Sequence, residues 1–312
     1  MITRDSKLAV TSRTFSRSKE LKDLLRKEFN NIKYNEDGIH FDEQNLITFL
    51  DDCEAAIVSG EKLSKEVIKK LPHLKIVSKF GVGLDGIDVD FLKEKGIKLS
   101  WKSGVNANSV AELTLCYLIL MLREAQQLNR DLNAGHWSKV NNSRDLSEVT
   151  IGIIGFGQIG KTLATYLEYH KSRILAYDPF IKDDMKLESK VEFHELDSLL
   201  RQSDAVTLHV PLSDSTVEMI GDREIKLMKK NSVLLNLSRG GIVSEQAVYK
   251  ALKTEHIAGA AFDVFEDEPN INPKLVQLKN FFGTPHIAGT SKNSIHKLGL
   301  AAINGLVESI DM

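Results

Sequence analysis

The sequence predicts an α/β protein of two domains, each built on a doubly wound parallel sheet. Three observations carry that expectation. Short apolar runs alternate with amphipathic helical patterns along most of the chain. In the second half, charged or polar residues seldom interrupt the runs, as expected of strands covered by helices on both faces. A long apolar helical segment lies between the two halves.

In the first hundred residues, Lys7–Ser12 is a short β-branched run and Lys19–Phe29 a charged helical pattern. Ala55–Ser59 and Ser64–Leu71 repeat the pair, and Ile76–Lys79 is a further run. These steps predict a small βα domain. Ser109–Asn133 keeps a helical pattern without Gly or Pro and is apolar on much of its circumference, which predicts one helix joining the domains and packed on several sides. From Thr150 the alternation resumes, with strands expected at Ile151–Ile154, Ile174–Tyr177, Ala205–Val210, Val233–Leu237 and Gly259–Phe262, and helical patterns such as Glu245–Leu252 between them. The Thr284-Pro285 break follows the last run, and the final helical pattern, Ser291–Ile310, is free to cross back to the first domain.

The 312 residues suffice for two domains of ordinary size, and 42% apolar with 27% charged residues is the balance of a soluble globular protein. A formal charge of −2, with Lys and Arg scattered, gathers neither nucleic acid nor anionic membrane. Met1–Val10 has no apolar signal core, and the most apolar run, Leu113–Leu122, is too short to span a bilayer, so a cytoplasmic location is expected. Cys53 and Cys116 form no CxxC pair, so neither a disulfide framework nor a cysteine-ligated zinc is expected, and no metal is assigned.

Gly155-Phe156-Gly157-Gln158-Ile159-Gly160 directly follows the run Ile151–Ile154 and precedes the helical pattern Lys161–Tyr169. The first glycine permits a tight turn, the second lets backbone approach a pyrophosphate, and the third allows close helix–strand packing. The helix N-terminus attracts the phosphate charge. Asp178 ends the next expected strand, where a carboxylate accepts hydrogen bonds from ribose hydroxyls and repels a 2′-phosphate. Three further segments sit at the carboxyl ends of expected strands, the edge where doubly wound sheets hold ligands: 236–241 with Arg239, 263–269 with Glu268, and 284–289 with His286. Reduction of a 2-keto acid by hydride needs a cation for the carboxylate, an acid for the new alkoxide, and a group that keeps the acid charged. Arg239, His286 and Glu268 suit these tasks. Singly, each also suits a surface, structural or helix-capping role.

In these and other blocks the chain resembles the D-isomer-specific 2-hydroxyacid dehydrogenases, a family that includes phosphoglycerate dehydrogenase, hydroxypyruvate and glyoxylate reductases and D-lactate dehydrogenase. The further matching blocks are 78–85, 106–112, Gly135-His136-Trp137, Asp178-Pro179 and His209-Val210-Pro211-Leu212, so the resemblance spans nearly the whole chain. It implies a flavodoxin-like substrate domain, 1–101 with 290–312, and an NAD-binding Rossmann domain, 102–289. It also implies hydride transfer between NAD(H) and C2 of a small 2-hydroxy or 2-keto acid, with 3-phosphoglycerate or hydroxypyruvate/glycerate the favoured pairs. Arg239 would orient substrate, His286 donate the proton in reduction, and Glu268 pair with His286. Val82 and Gly83 would offer backbone N–H groups to the substrate carboxylate, with Lys79 and Asn106 nearby and Lys79 reaching a distal phosphate or hydroxyl. For the cofactor the resemblance adds Gln158 and Ile159 at the pyrophosphate, Val210, Pro211 and Thr216 along adenosine and ribose, and Leu237 and Asp263 near nicotinamide. It further implies a homodimer formed through the 109–133 segment and catalysis dependent on domain closure.

Some positions depart from the family pattern. Gly86 stands where relatives often have Asn, and Ser147-Glu148-Val149-Thr150 replaces the usual Gly-Lys-Thr lead into the first dinucleotide strand. The chain ends at Met312 after the expected return helix, which leads us to expect no serine feedback through a regulatory extension. Two other readings share the fold: an NAD-sensing, co-repressor-like binding protein, and a formate or phosphonate dehydrogenase. The carboxylate of Asp178, with Lys182 as a basic residue four positions on, sets the first expectation: NADH is preferred over NADPH. Initial rates with each coenzyme at fixed keto acid check it, and equal or better efficiency with NADPH contradicts it.

Overall fold

The computed structural model describes residues 2–139, 142–181 and 190–310. Lys182 and Met312, on which two of the expectations above touch, lie outside these residues. The chain divides into two compact units, Met1–Asn106 with Thr290–Met312, and Ala107–Gly289. The sequence expectation had put the first crossing at 101/102.

Among the described residues the first unit holds a five-stranded parallel sheet. Its strands are β1 (Leu8–Val10), β2 (Ile32–Tyr34), β3 (Ala55–Val58), β4 (Ile76–Lys79) and β5 (Lys98–Ser100), in the order β2-β1-β3-β4-β5. This is the flavodoxin-like order, with the chain reversing direction at β1/β3. The central strands β1, β3 and β4 are buried along their whole length; β1 and β3 therefore read as uninterrupted apolar runs, whereas β4 ends on the buried polar pair Ser78-Lys79. The return helix Lys292–Val307 packs on this sheet, and the Ser78 hydroxyl at the sheet centre donates to the Ala302 carbonyl, 2.7 Å.

Among the described residues the second unit carries a seven-stranded parallel sheet. Its strands are β6 (Thr150–Ile154), β7 (Arg173–Tyr177), β8 (Glu192–Phe193), β9 (Ala205–Leu208), β10 (Val233–Asn236), β11 (Gly259–Phe262) and β12 (Phe281–Gly283), ordered β12-β11-β10-β9-β6-β7-β8. The chain winds outward from β6 to β8, then crosses back and winds the other way from β9, so a topological switch lies between β6 and β9. Two apolar cores cover the faces, one including Ile151, Ile153 and Leu235, the other Ile154, Val206 and Leu234. Alternate residues of the same strands feed opposite cores, as strand geometry requires.

The expected single helix over 109–133 is two helices, Ala107–Leu122 and Ala125–Asn133. They part at Glu124, whose φ of 50° is left-handed. The first buries Val110, Ala111, Thr114, Tyr117, Leu118 and Met121, a spacing of three and four residues that fits one helix face. The second is weakly apolar and buries Gln126, whose amide donates to the Phe281 carbonyl, 2.9 Å. A run without Gly or Pro thus carried no sign of the break. The two halves of that run meet different partners, and an internal hydrogen bond is given up for that change of direction.

The glycines of the β6 turn divide by the space around them. A Cβ on Gly160 would sit 2.3 Å from the Gly155 carbonyl oxygen, whereas one on Gly157 meets nothing within 4 Å. Gly160→Ala is therefore expected to destabilise the protein by roughly 1–3 kcal/mol in denaturant unfolding, and Gly157→Ala by under about 0.5 kcal/mol. Equal midpoints for the two variants would contradict this packing.

Candidate active site

The described strands of the second unit all run parallel, so the loops following β6, β7, β9, β10, β11 and β12 leave the sheet at one edge. Gly155, directly after β6, has φ +92°, and a Cβ there would meet the His209 carbonyl at 2.5 Å, across the β6/β9 switch. Only glycine fits both the dihedral and the space. Gly157 caps the helix Gln158–Tyr169 without a side-chain bond to its first N–H groups, which leaves those donors and the positive helix end open to an anion. Asp178, after β7, accepts from the Phe156 N–H within the glycine turn, 2.8 Å, and from Phe180 N–H, 2.9 Å. The open cradle at Gly157 and the neighbouring carboxylate fit a dinucleotide: phosphate at the helix end, ribose at Asp178.

The next three loops are braced against one another. After β10, the Asn236 side chain accepts from Ser238 N–H, 3.1 Å, and its amide donates to the Arg239 carbonyl, 2.8 Å, so the Arg239 backbone is fixed. A Cβ on Gly240 would lie 1.8 Å from the Phe265 carbonyl oxygen, so this loop abuts the one after β11. That second loop is fastened by reciprocal bonds, Glu245 N–H to Glu266 and Glu266 N–H to Glu245, both 2.8 Å. Glu268 is held through Oε1 by the Phe265 N–H, 3.0 Å, and its Oε2 meets His286 Nδ1 at 2.8 Å. His286 Nε2 is thereby left as the outward nitrogen.

His286 itself has φ +54°, a left-handed conformation costing about 1–2 kcal/mol in a residue with a Cβ. Asp263 holds the loop in it. This fully buried carboxylate accepts from Ile287 N–H and Ala288 N–H, each 2.8 Å, and from the Thr284 hydroxyl, while its own carbonyl accepts from His286 N–H, 2.8 Å. Thr284 in turn meets the Tyr117 phenol, which burial pushes up to about 12, so the helix Ala107–Leu122 is tied to the same loop.

The electrostatics follow from these contacts. The bond from Glu268 is the largest influence on His286 and raises its pKa; burial opposes it, and the charges of Glu268 and Asp263 add to the rise. For Glu268, burial pushes upward most strongly, but the bond and charge of His286, the Phe265 N–H and the Arg239 charge together hold it below the usual carboxylate range. Burial raises Asp263 in spite of its three hydrogen bonds. His209, by contrast, is driven down to about 3 by burial and stays neutral. His286 thus has the environment of an acid loaded near neutral pH, and His209 that of a structural imidazole.

A sequence model of the D-isomer specific 2-hydroxyacid dehydrogenase NAD binding domain matches residues 115–288, the span that holds all these loops. The chain belongs to that family. It is, with the family, an oxidoreductase acting on CH–OH groups with NAD. Hydroxypyruvate reductase of Thermotoga maritima is 33% identical over 92% of this chain and 96% of its own length. D-3-phosphoglycerate dehydrogenase of Methanocaldococcus jannaschii is 36% identical over 81% of this chain, but the match spans about half, 49%, of that longer protein. Among solved structures, D-lactate dehydrogenase of Aquifex aeolicus, complexed with NAD and lactic acid, superposes with a TM-score of 0.83 at 28% identity, over 97% of this chain and 95% of that one.

The sequence-derived residues fall into place unevenly. Arg239, Glu268 and His286 all belong to the second unit's loop edge, as do Gly155, Gly157, Gln158, Ile159, Gly160 and Asp178. Val210 lies against the glycine turn, its Cγ1 2.7 Å from where a Gly155 Cβ would be, and Pro211 follows it. The Thr216 hydroxyl closes its own loop, donating to the Pro211 carbonyl, 2.7 Å, and accepting from Ser213 N–H, 2.8 Å. Leu237 is buried behind Arg239, and Asp263 is turned into the protein to hold the His286 loop. In the first unit, Lys79 is only 8% exposed and its ammonium donates to the Ser59 carbonyl. Asn106 is buried with its Oδ1 unpartnered among the described residues. Sequence reading missed Thr284, Tyr117 and the Glu245–Glu266 brace. Their partners lie 21 to 167 positions away, and no local pattern announces them.

A raised imidazole pKa stabilises the protonated, bonded pair fully below the ordinary histidine value, and the gain is lost as pH rises through the raised one. The efficiency of keto-acid reduction should therefore be flat at low pH and fall as pH passes the raised pKa of His286. In Glu268→Gln the largest raising influence is gone, so that fall should begin at lower pH. Superimposable pH–rate profiles would remove Glu268 from this role.

Proposed function

We propose that the protein reduces a small 2-keto acid to the D-2-hydroxy acid with NADH, with hydroxypyruvate or glyoxylate as substrate. The observation that carries the chemistry is the 2.8 Å contact between His286 Nδ1 and Glu268, which leaves Nε2 outward on an imidazole biased towards its charged form. The bound cofactor supplies the hydride that adds to C2. His286 Nε2 gives its proton to the former carbonyl oxygen, and Glu268 stabilises the imidazolium until then. Arg239 and the N–H groups of Val82 and Gly83 bind the substrate carboxylate, and Asn106 supplies a further polar contact. Gly155–Gly160 and Asp178 hold pyrophosphate and ribose, with Val210, Pro211 and Thr216 along the adenosine side and Leu237 behind the nicotinamide. Asp263 serves the site by fixing the His286 loop.

Lys79 supports the choice of substrate. Its ammonium already donates to the Ser59 carbonyl in a buried setting, which supports a structural use of its charge over contact with a distal phosphate. A substrate with a hydroxyl or no distal group asks nothing of it, so the phosphohydroxypyruvate/3-phosphoglycerate pair stands second. The 33% identity with the Thermotoga hydroxypyruvate reductase supports the same choice. The proposal includes a cytoplasmic homodimer. Ile119 and Leu132, apolar and exposed on helices Ala107–Leu122 and Ala125–Asn133, support pairing there, and no described helix is long and apolar enough to cross a membrane.

NADH oxidation measured against glyoxylate, hydroxypyruvate, phosphohydroxypyruvate, pyruvate and 2-ketoisocaproate tests the proposal. The highest kcat/KM is expected on hydroxypyruvate or glyoxylate, and His286→Ala should lower it on the order of 100-fold or more. No turnover on any of the five contradicts the reading and favours a cofactor-sensing role. A preference for 2-ketoisocaproate overturns the substrate assignment.

A further inference from the structure

Strands β4 and β5 are neighbours in the first unit's sheet, with Ser78 paired to Ser100. The residues that follow them at the same edge therefore emerge side by side: Phe80–Gly83 after β4 and Trp101 after β5. The Trp101 indole N–H donates to the Val82 carbonyl at 2.7 Å. The turn is anchored before and after this point, by Phe80 N–H to the Val58 carbonyl, 2.8 Å, and by Ile87 N–H to the Leu84 carbonyl, 2.9 Å. Among the described residues, the bond from Trp101 is the one hydrogen bond to the backbone of Gly81–Gly83.

That bond acts on a particular peptide. The Val82 carbonyl and the Gly83 N–H belong to one planar trans unit, so the two bonds point in opposite directions and fixing the oxygen fixes the hydrogen. Without the bond this unit has unusual freedom, because a peptide followed by glycine can turn over without a Cβ penalty. Polarisation of the carbonyl by the indole also makes the Gly83 N–H a better donor. The N–H groups of Val82 and Gly83 have no protein acceptor among the described residues, and buried or half-buried backbone donors are seldom left unpaired.

We infer that Trp101 is a positioning residue for substrate: by holding the Val82 carbonyl it aims the Gly83 N–H at the substrate carboxylate. The inference rests on the proposed role of the Gly81–Gly83 turn. Trp101 belongs to none of the sequence blocks that signalled the family. Trp101 as a residue is 44% exposed, so its replacement opens no core cavity.

The test compares wild type with Trp101→Phe, which keeps an aromatic ring but no donor, and Trp101→Gln, which restores an N–H donor. Oxalate, a planar dicarboxylate that stands in for the 2-keto acid, is the probe for binding to the NAD-loaded enzyme by calorimetry. Loss of one positioned hydrogen bond should weaken oxalate binding and raise KM for the keto acid about fivefold to tenfold in Trp101→Phe. Its kcat should change less, its KM for NADH should stay within about twofold, and Trp101→Gln should recover part of the loss. The chain has two tryptophans, so in a Trp137→Phe background Trp101 is the sole emitter, and its fluorescence should respond to oxalate. Unchanged oxalate affinity in Trp101→Phe overturns the inference, and so does a parallel loss of oxalate binding, NADH binding and thermal stability, which marks a structural role. The two readings fail separately. An enzyme that turns over no 2-keto acid, yet binds oxalate in a Trp101-dependent way, sinks the proposed reaction and leaves this inference standing. Turnover indifferent to Trp101 does the reverse.

Discussion

The buried carboxylate of Asp263 is the contact on which the second unit's working edge depends. It sits at the end of β11 and gathers the Thr284 hydroxyl with the N–H groups of Ile287 and Ala288, while its carbonyl takes the His286 N–H. These bonds hold His286 in a left-handed conformation that a non-glycine residue otherwise avoids. Removing the carboxylate would strand several donors, at about 1–3 kcal/mol for each buried group left unsatisfied. The burial that makes those bonds strong also raises Asp263 itself, so the site pays in electrostatics for its rigidity. Everything that distinguishes His286 from His209 follows from where each ring is left: one beside Glu268 at a loop tip, the other enclosed and neutral.

Parallel topology turns this local arrangement into a site. Because all strands of a sheet point one way, residues far apart in sequence reach one edge without any long excursion of the chain. The second unit uses its edge for a glycine turn, the Asp178 carboxylate beside it and the histidine–glutamate pair. The first unit uses its own edge for a short turn whose Val82 and Gly83 N–H groups have no acceptor among the described residues, steadied by an indole that follows the next strand. In both, a rigid sheet carries the loops, and a few side-chain-to-backbone bonds set their direction.

Much of this was legible in the sequence where the physics is local. The strands β6, β7, β10 and β11 are buried on both faces and so read as continuous apolar runs, and the glycine turn is a local steric requirement. Strands β2, β5, β8 and β12 are two or three residues long, some half-exposed, and offer no period to detect. The break at Glu124 was hidden because the run contains neither Gly nor Pro. Arg239, Glu268 and His286 could be singled out because each falls at a strand end and bears reactive chemistry. Asp263 was assigned to the nicotinamide, and its attachment to the His286 loop was not legible because it depends on residues 21 to 25 positions away. Trp101 left no signal, since a lone aromatic after a short edge strand has many uses. Lys79 was read from its charge alone as a phosphate contact, and the Ser59 carbonyl that its ammonium meets lies 20 positions away, with no local pattern to announce it.

The account rests on His286 being a held, proton-loaded acid, and a ¹⁵N NMR titration of the histidine side chains in the free enzyme tests this most directly. The His286 resonance, assigned by its loss in His286→Gln, should titrate with a midpoint above the ordinary value of about 6.5, while that of His209 stays neutral through the same range. A His286 midpoint at or below the ordinary value would contradict the account.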